Sequence, residues 1–140
     1  MRHAADFFAL EPAIQLHVGL ALGALLLGPV VLLSRKGSRL HRSLGWLWVL
    51  AMLGAAASSL WIRDFRLPNL AGYTPIHLLT VLTFVGVTSA IVAAAQRRIP
   101  AHRKAMWSAY LGGCLGAGAF ALLPGRYLGD LLWHHGLGWV

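Results

Sequence analysis

The chain has 140 residues, of which 58% are hydrophobic and 11% charged, a composition too apolar for an ordinary soluble domain. Its formal charge of +8 would point to nucleic acid if it were spread over a water-facing surface. The excess is confined to two short loops, so nucleic acid is set aside as a partner and the charge is read as a topology signal.

Residues 1–12 form a short polar-aromatic segment with Phe7, Phe8 and Leu10 suited to an interface, and Pro12 suits a first helical turn, where its missing N–H leaves no vacancy. Asp6 and Glu11 precede the first apolar run and the basic residues follow it, which argues against a cleaved signal peptide and for a retained anchor. Four runs free of Asp, Glu, Lys and Arg follow: residues 13–33, 44–62, 75–95 and 105–123. At about 1.5 Å of helix per residue each reaches the ~30 Å of a bilayer hydrocarbon core. Arg35, Lys36, Arg39 and Arg42 lie between the first two runs, with Gly37 and Ser38 in a tight turn. Arg97, Arg98, Arg103 and Lys104 lie between the last two, where Pro100 breaks the loop before His102. All four acids, Asp6, Glu11, Asp64 and Asp130, fall on the other side. The positive-inside rule then places both basic loops in the cytoplasm and both termini outside, as expected of a multi-pass protein of the bacterial inner membrane.

Residues 63–74 join the two hairpins through Pro68, Asn69 and Gly72, and Thr74-Pro75 reads as a cap followed by proline at the start of the third helix. The tail, residues 124–140, carries Leu128, Leu131 and Leu132 at helical spacing with Tyr127, Trp133 and Trp139, and reads as a short interfacial helix. His134 and His135 on it are read as interfacial residues. The expected fold is therefore all-α. It is one transmembrane domain over residues 1–140, a four-helix bundle of two tandem hairpins with a C-terminal surface helix.

The hairpins look like one segment written twice. His17, His41-Arg42 and Trp46 in the first correspond to His77, His102-Arg103 and Trp107 in the second. Two hairpins of equal orientation are related by a pseudo-two-fold axis along the membrane normal, which puts equivalent residues at equal depth. His17 with His77 then forms an outer pair, and His41 with His102 an inner pair. Buried ionisable residues face the bundle interior rather than lipid, and neutral imidazole is a good ligand to haem iron, zinc or copper. Small residues beside His17 (Ala21, Ala24, Gly28) and His102 (Ala105, Ala109, Gly113, Gly116) predict a gap wide enough for a flat cofactor. Thr80 and Thr88 are candidate hydrogen-bond donors on the His77 face, Arg42 and Arg103 suit haem propionates, and Trp46 and Trp107 suit ring packing. A bare ion is less well served, because no carboxylate or thiol accompanies either pair. Other readings stay open: the basic residues as lipid anchors, the tryptophans as an aromatic belt, and His17 and His77 as polar contacts between helices. Gly19, Gly23, Ala51, Ala55, Gly112 and Gly116 predict close helix approach, and Cys114, mid-span, a packing role.

The stretch from Gly37 to Trp46, Pro75-Ile76-His77, Ala101-His102-Arg103-Lys104-Ala105-Met106 and Leu123-Pro124-Gly125-Arg126 resemble a bacterial family of predicted four-helix membrane proteins, domain of unknown function 2306. That likeness implies an inner-membrane protein with these histidines as signature residues and supplies no substrate. More distantly, the chain is similar to four-helix cytochrome b-type proteins, which hold two haems between paired histidines. The functional expectation is a haem-b-binding electron-transfer protein with His17, His77, His41 and His102 as iron ligands and exchange with quinone. The alternatives are a scaffold subunit of a larger complex or homo-oligomer, or a lipid or quinone binder without haem.

Overall fold

The computed structural model describes residues 10–63, 65, 68, 70–124, 126–130 and 132–133, and the regular structure among them is helical, with no β-strand. Helix α1 spans Pro12–Leu33, α2 Arg39–Ser59, α3 Leu78–Ala95 and α4 Ile99–Ala109. A π-helical segment, Tyr110–Gly116, and α5, Ala117–Ala121, continue α4 without a break, and α6 is a single turn at Tyr127–Asp130.

Local chemistry sets most of these ends. Pro12 opens α1 as expected. Gly37, at φ 80°, makes the turn that releases Ser38 to cap α2, its hydroxyl accepting the His41 N–H at 3.1 Å. Two boundaries differ from the sequence reading. The inner turns are shorter than the gaps between apolar runs, because both helices continue past the apolar zone into their basic residues. Arg39 and Arg42 lie in the first turn of α2, and Pro100 starts α4 rather than interrupting a loop. Thr74-Pro75 caps the third helical segment as read, through a 3₁₀ turn over Pro75–His77. Before it, Leu70 and Tyr73 exchange both backbone hydrogen bonds around Ala71 and Gly72, which sit at φ 54° and 85°, the two positive φ values of a type I′ turn.

Side-chain contacts give the direction of each pair. His17 near the start of α1 meets Ala55 late in α2, and Ser59 late in α2 meets Thr80 early in α3. His102 at the start of α4 meets Ala90 late in α3, and Tyr110 of the fourth rod meets Leu25 of α1. Each rod is thus antiparallel to the next in chain order and the fourth returns to the first, leaving α1 diagonal to α3 and α2 diagonal to α4.

The centre is filled by Trp48, Met52, Val87, Met106, Tyr110 and Cys114. Trp48 is the largest fully buried side chain, and its indole N–H donates to the Ala24 carbonyl at 2.9 Å. Close approaches occur at other small residues than the spacing suggested. A Cβ on Gly28 would strike the Tyr110 ring, and one on Gly54 or Gly113 would crowd Leu20 or Met52. One on Gly19, Gly23 or Gly112 would meet nothing within 4 Å. Ala51 and Ala55 are buried as expected, and Cys114 packs its sulfur 3.3 Å from that of Met52. The outside is apolar: Leu26, Leu47, Leu50, Leu82, Val85 and Leu111 are each more than half exposed. At about 1.5–3 kcal/mol for each such side chain, that surface in water would forgo roughly 10 kcal/mol, comparable with the whole stability of a small domain. Hydrocarbon removes the penalty. Two helical stretches, Pro12–Leu33 and Pro75–Ala95, are long and apolar enough to cross a membrane on their own. The second rod begins with arginines and the fourth is divided by its π-helical segment.

Candidate functional site

The inner pair is brought together. His41 and His102, from the diagonal helices α2 and α4, stand with ring centroids 6.4 Å apart and planes at 87°. Each ring is held by the hairpin it belongs to. Helix α1 ends at Leu33, so its last carbonyls have no helical donor. His41 Nδ1–H donates to Val31 O at 3.1 Å; Ser34 Oγ donates to the same carbonyl at 2.8 Å and lies 3.0 Å from His41 Nδ1. Lys36 Nζ closes the end by donating to the carbonyls of Val31, Leu32 and Ser34. In the second hairpin His102 Nδ1–H donates to Ala90 O at 2.9 Å.

These bonds fix the tautomer. A ring that donates from Nδ1 to a carbonyl keeps its Nε2 lone pair, the arrangement that orients histidines toward a metal. Neither Nε2 has a partner among the described residues. Electrostatics favours the same state. Burial holds His41 below the ordinary imidazole range, with the Lys36 and His102 charges adding to the effect and the Val31 carbonyl opposing it. Lys36 is itself lowered by burial and by Arg103, so a second cation stands close by. Arg42, Arg103, Trp46 and Trp107 are all exposed rather than folded over the pair.

The outer pair is arranged differently. His17 Nδ1–H donates to Ala55 O at 2.8 Å, with Ser58 Oγ at 3.3 Å. His77 has spent both nitrogens: Nδ1 accepts the Thr74 N–H at 3.1 Å, and Nε2–H donates to Ile62 O at 3.1 Å. Its ring stacks edge-on against Tyr73 at 5.1 Å. The gap foreseen beside His17 is occupied, since Trp48 reaches Ala24 and Tyr110 fills the space over Gly28. Thr80 pairs with Ser59 at 2.7 Å, and Thr88 faces outward. His134, His135 and Trp139 lie outside the described residues.

Sequence reading missed Ser34, which lies 3.0 Å from His41 Nδ1, and Lys36, which closes the end of α1; a serine and a lysine just past an apolar run were the available signal. It also missed Tyr110, whose hydroxyl donates to Leu25 O at 3.2 Å. Pro29 explains that bond, because the residue four after Leu25 has no N–H to give.

Rods with leucine outside and histidine–carbonyl bonds inside define the class as a helical membrane protein. The chain belongs to the family described as Predicted membrane protein (DUF2306), which matches residues 14–125. No curated protein and no solved structure matches it.

Proposed function

We propose that this protein holds one haem b between His41 and His102 and transfers electrons in the membrane. The observation that carries the reading is the approach of two imidazoles whose Nδ1 atoms are committed to carbonyls and whose Nε2 lone pairs have no partner among the described residues. The ring centres stand 6.4 Å apart, and His41 and His102 would hold one iron between them through their Nε2 atoms. No group of three or more His, Cys, Asp or Glu that could hold an ion occurs among the described residues. Two protein ligands alone leave a bare ion under-coordinated, whereas a porphyrin brings the other four nitrogens with it.

Bound there, the haem would supply one-electron redox chemistry. The chain's part would be to hold both imidazoles oriented, and to offer Arg103 and Arg42 as cations for the propionates. Quinone is the fitting membrane-soluble electron partner. An outer haem lacks comparable support, because His77 would have to give up its cap or its bond to Ile62 to free a lone pair. The reading includes four spans built as tandem hairpins in a bacterial inner membrane, basic loops inside and both termini outside. The apolar surface, the antiparallel rods and the clustering of cations at one end support it.

Protein expressed with haem supplied should show a Soret band that shifts on reduction. H41A and H102A should each lose it at least tenfold, while H17A and H77A retain it. A colourless wild type, or equal loss in all four variants, refutes the proposal. One observation favours a second reading as a scaffold: all four histidines tie their helix to a main-chain carbonyl elsewhere in the fold. Colourless protein whose His→Ala variants unfold more readily would select it.

A further inference from the structure

A groove of about 480 Å³ runs along the outward face of α3, lined by Phe84, Val85, Thr88, Ser89, Val92 and Arg98. Its chemistry is graded along the helix. Arg98 stands at the basic end, beyond the last turn. Its backbone is fixed there by its N–H to Ala93 O at 2.8 Å and by accepting the His102 N–H at 3.0 Å. Its guanidinium makes no ion pair or hydrogen bond among the described residues. Ser89 lies six residues, or about 9 Å, from the end of α3. It and Thr88 are exposed, and neither hydroxyl has a partner among the described residues. Phe84 and Val85 continue the groove into the apolar zone.

Two adjacent hydroxyls turned outward from a membrane helix are costly unless something bonds them. A cation at the edge, hydroxyls one or two turns deeper and an apolar trough below them follow the order of phosphate, ester carbonyls and acyl chain in a diacyl lipid. We infer that this groove binds one anionic phospholipid, with its phosphate on Arg98, its ester carbonyls accepting from Ser89 and Thr88, and one acyl chain along Val85 and Phe84. The absence of any described acid at this end, where Arg97, Arg103 and Lys104 also lie, selects an anionic headgroup over a zwitterionic one.

Native mass spectrometry of the full chain in detergent, with phosphatidylglycerol or phosphatidylcholine of matched acyl chains, tests this. One phosphatidylglycerol should stay bound and phosphatidylcholine should not. R98A should weaken retention at least tenfold, R98K should keep most of it, and T88V/S89A should lower it several-fold. R35A, which removes a cation from the other basic loop, should leave it unchanged. Equal retention of the two lipids, equal loss in R98A and R35A, or an uncharged isoprenoid held in the groove instead would overturn the assignment.

Discussion

Replacing Tyr110 by Phe removes one oxygen and leaves the ring seated against Gly28. In a regular helix the Leu25 carbonyl accepts from the N–H of residue 29, but that residue is proline. Tyr110, 85 residues away, supplies the missing donor at 3.2 Å. A buried carbonyl stripped of its partner costs roughly 1–3 kcal/mol in water-soluble proteins, while side-chain hydrogen bonds between membrane helices average about 0.6 and reach about 1.7 kcal/mol. Tyr110→Phe should therefore destabilise by about 1 kcal/mol, near the middle of that range. The decisive comparison is the same change in a Pro29→Ala background, where residue 29 again has an N–H and Leu25 has its own donor. There the cost should fall to a few tenths of a kcal/mol, which makes the coupling between positions 29 and 110 nearly the whole effect. Reversible unfolding in mixed micelles, followed by far-ultraviolet circular dichroism, measures all four corners of the cycle. An equal cost with and without Pro29 would refute the claim that Tyr110 substitutes for a missing backbone donor.

Glycines that look alike in sequence should behave oppositely. Gly28→Ala drives a methyl group into the Tyr110 ring and should cost about 1–3 kcal/mol. Gly23→Ala meets nothing within 4 Å and should be neutral or slightly stabilising in the same unfolding assay. Ligand-free protein should lose stability as pH falls. His41 is held below 6.5 by burial, Lys36 and His102, so the unfolded chain takes up the proton more readily than the folded one. The stabilisation is complete above ~6.5 and declines as pH drops toward the lowered folded value. Thermal midpoints measured from pH 8 to pH 5 should show this decline, and His41→Gln should flatten it.

Much of the architecture is legible in the residues because the bilayer leaves few options. Apolar runs of the length of a span must be helical there, and Pro12, Ser38 and Thr74-Pro75 mark where three of the helical segments begin. Helix extent past the apolar zone is not legible from hydropathy, since Arg39, His41 and Arg42 are polar yet helical. Small residues are ambiguous for a related reason. Gly28 and Gly23 differ only in which face they occupy, and that depends on where Tyr110 arrives from the fourth rod. The space beside Ala24 and Gly28 is real, but Trp48 and Tyr110 fill it.

The histidines show most sharply what similar spacing in sequence can and cannot specify. His41 and His102 sit early in helices, each beside the end of the preceding rod in its own hairpin, and each finds a carbonyl there. Similar placement in sequence gives similar chemistry, and the two rings stand 6.4 Å apart. His17 and His77 are equivalent by position, but their backbones are not. His17 lies inside α1 after Pro12 has started the helix five residues earlier, whereas Thr74-Pro75 starts the other copy so late that His77 falls in the 3₁₀ turn. There its ring is drawn back onto the Thr74 N–H, and its other nitrogen is spent on Ile62. A proline placed a few residues later relative to the histidine is enough to turn His77 into a helix cap while His17 stays inside its helix.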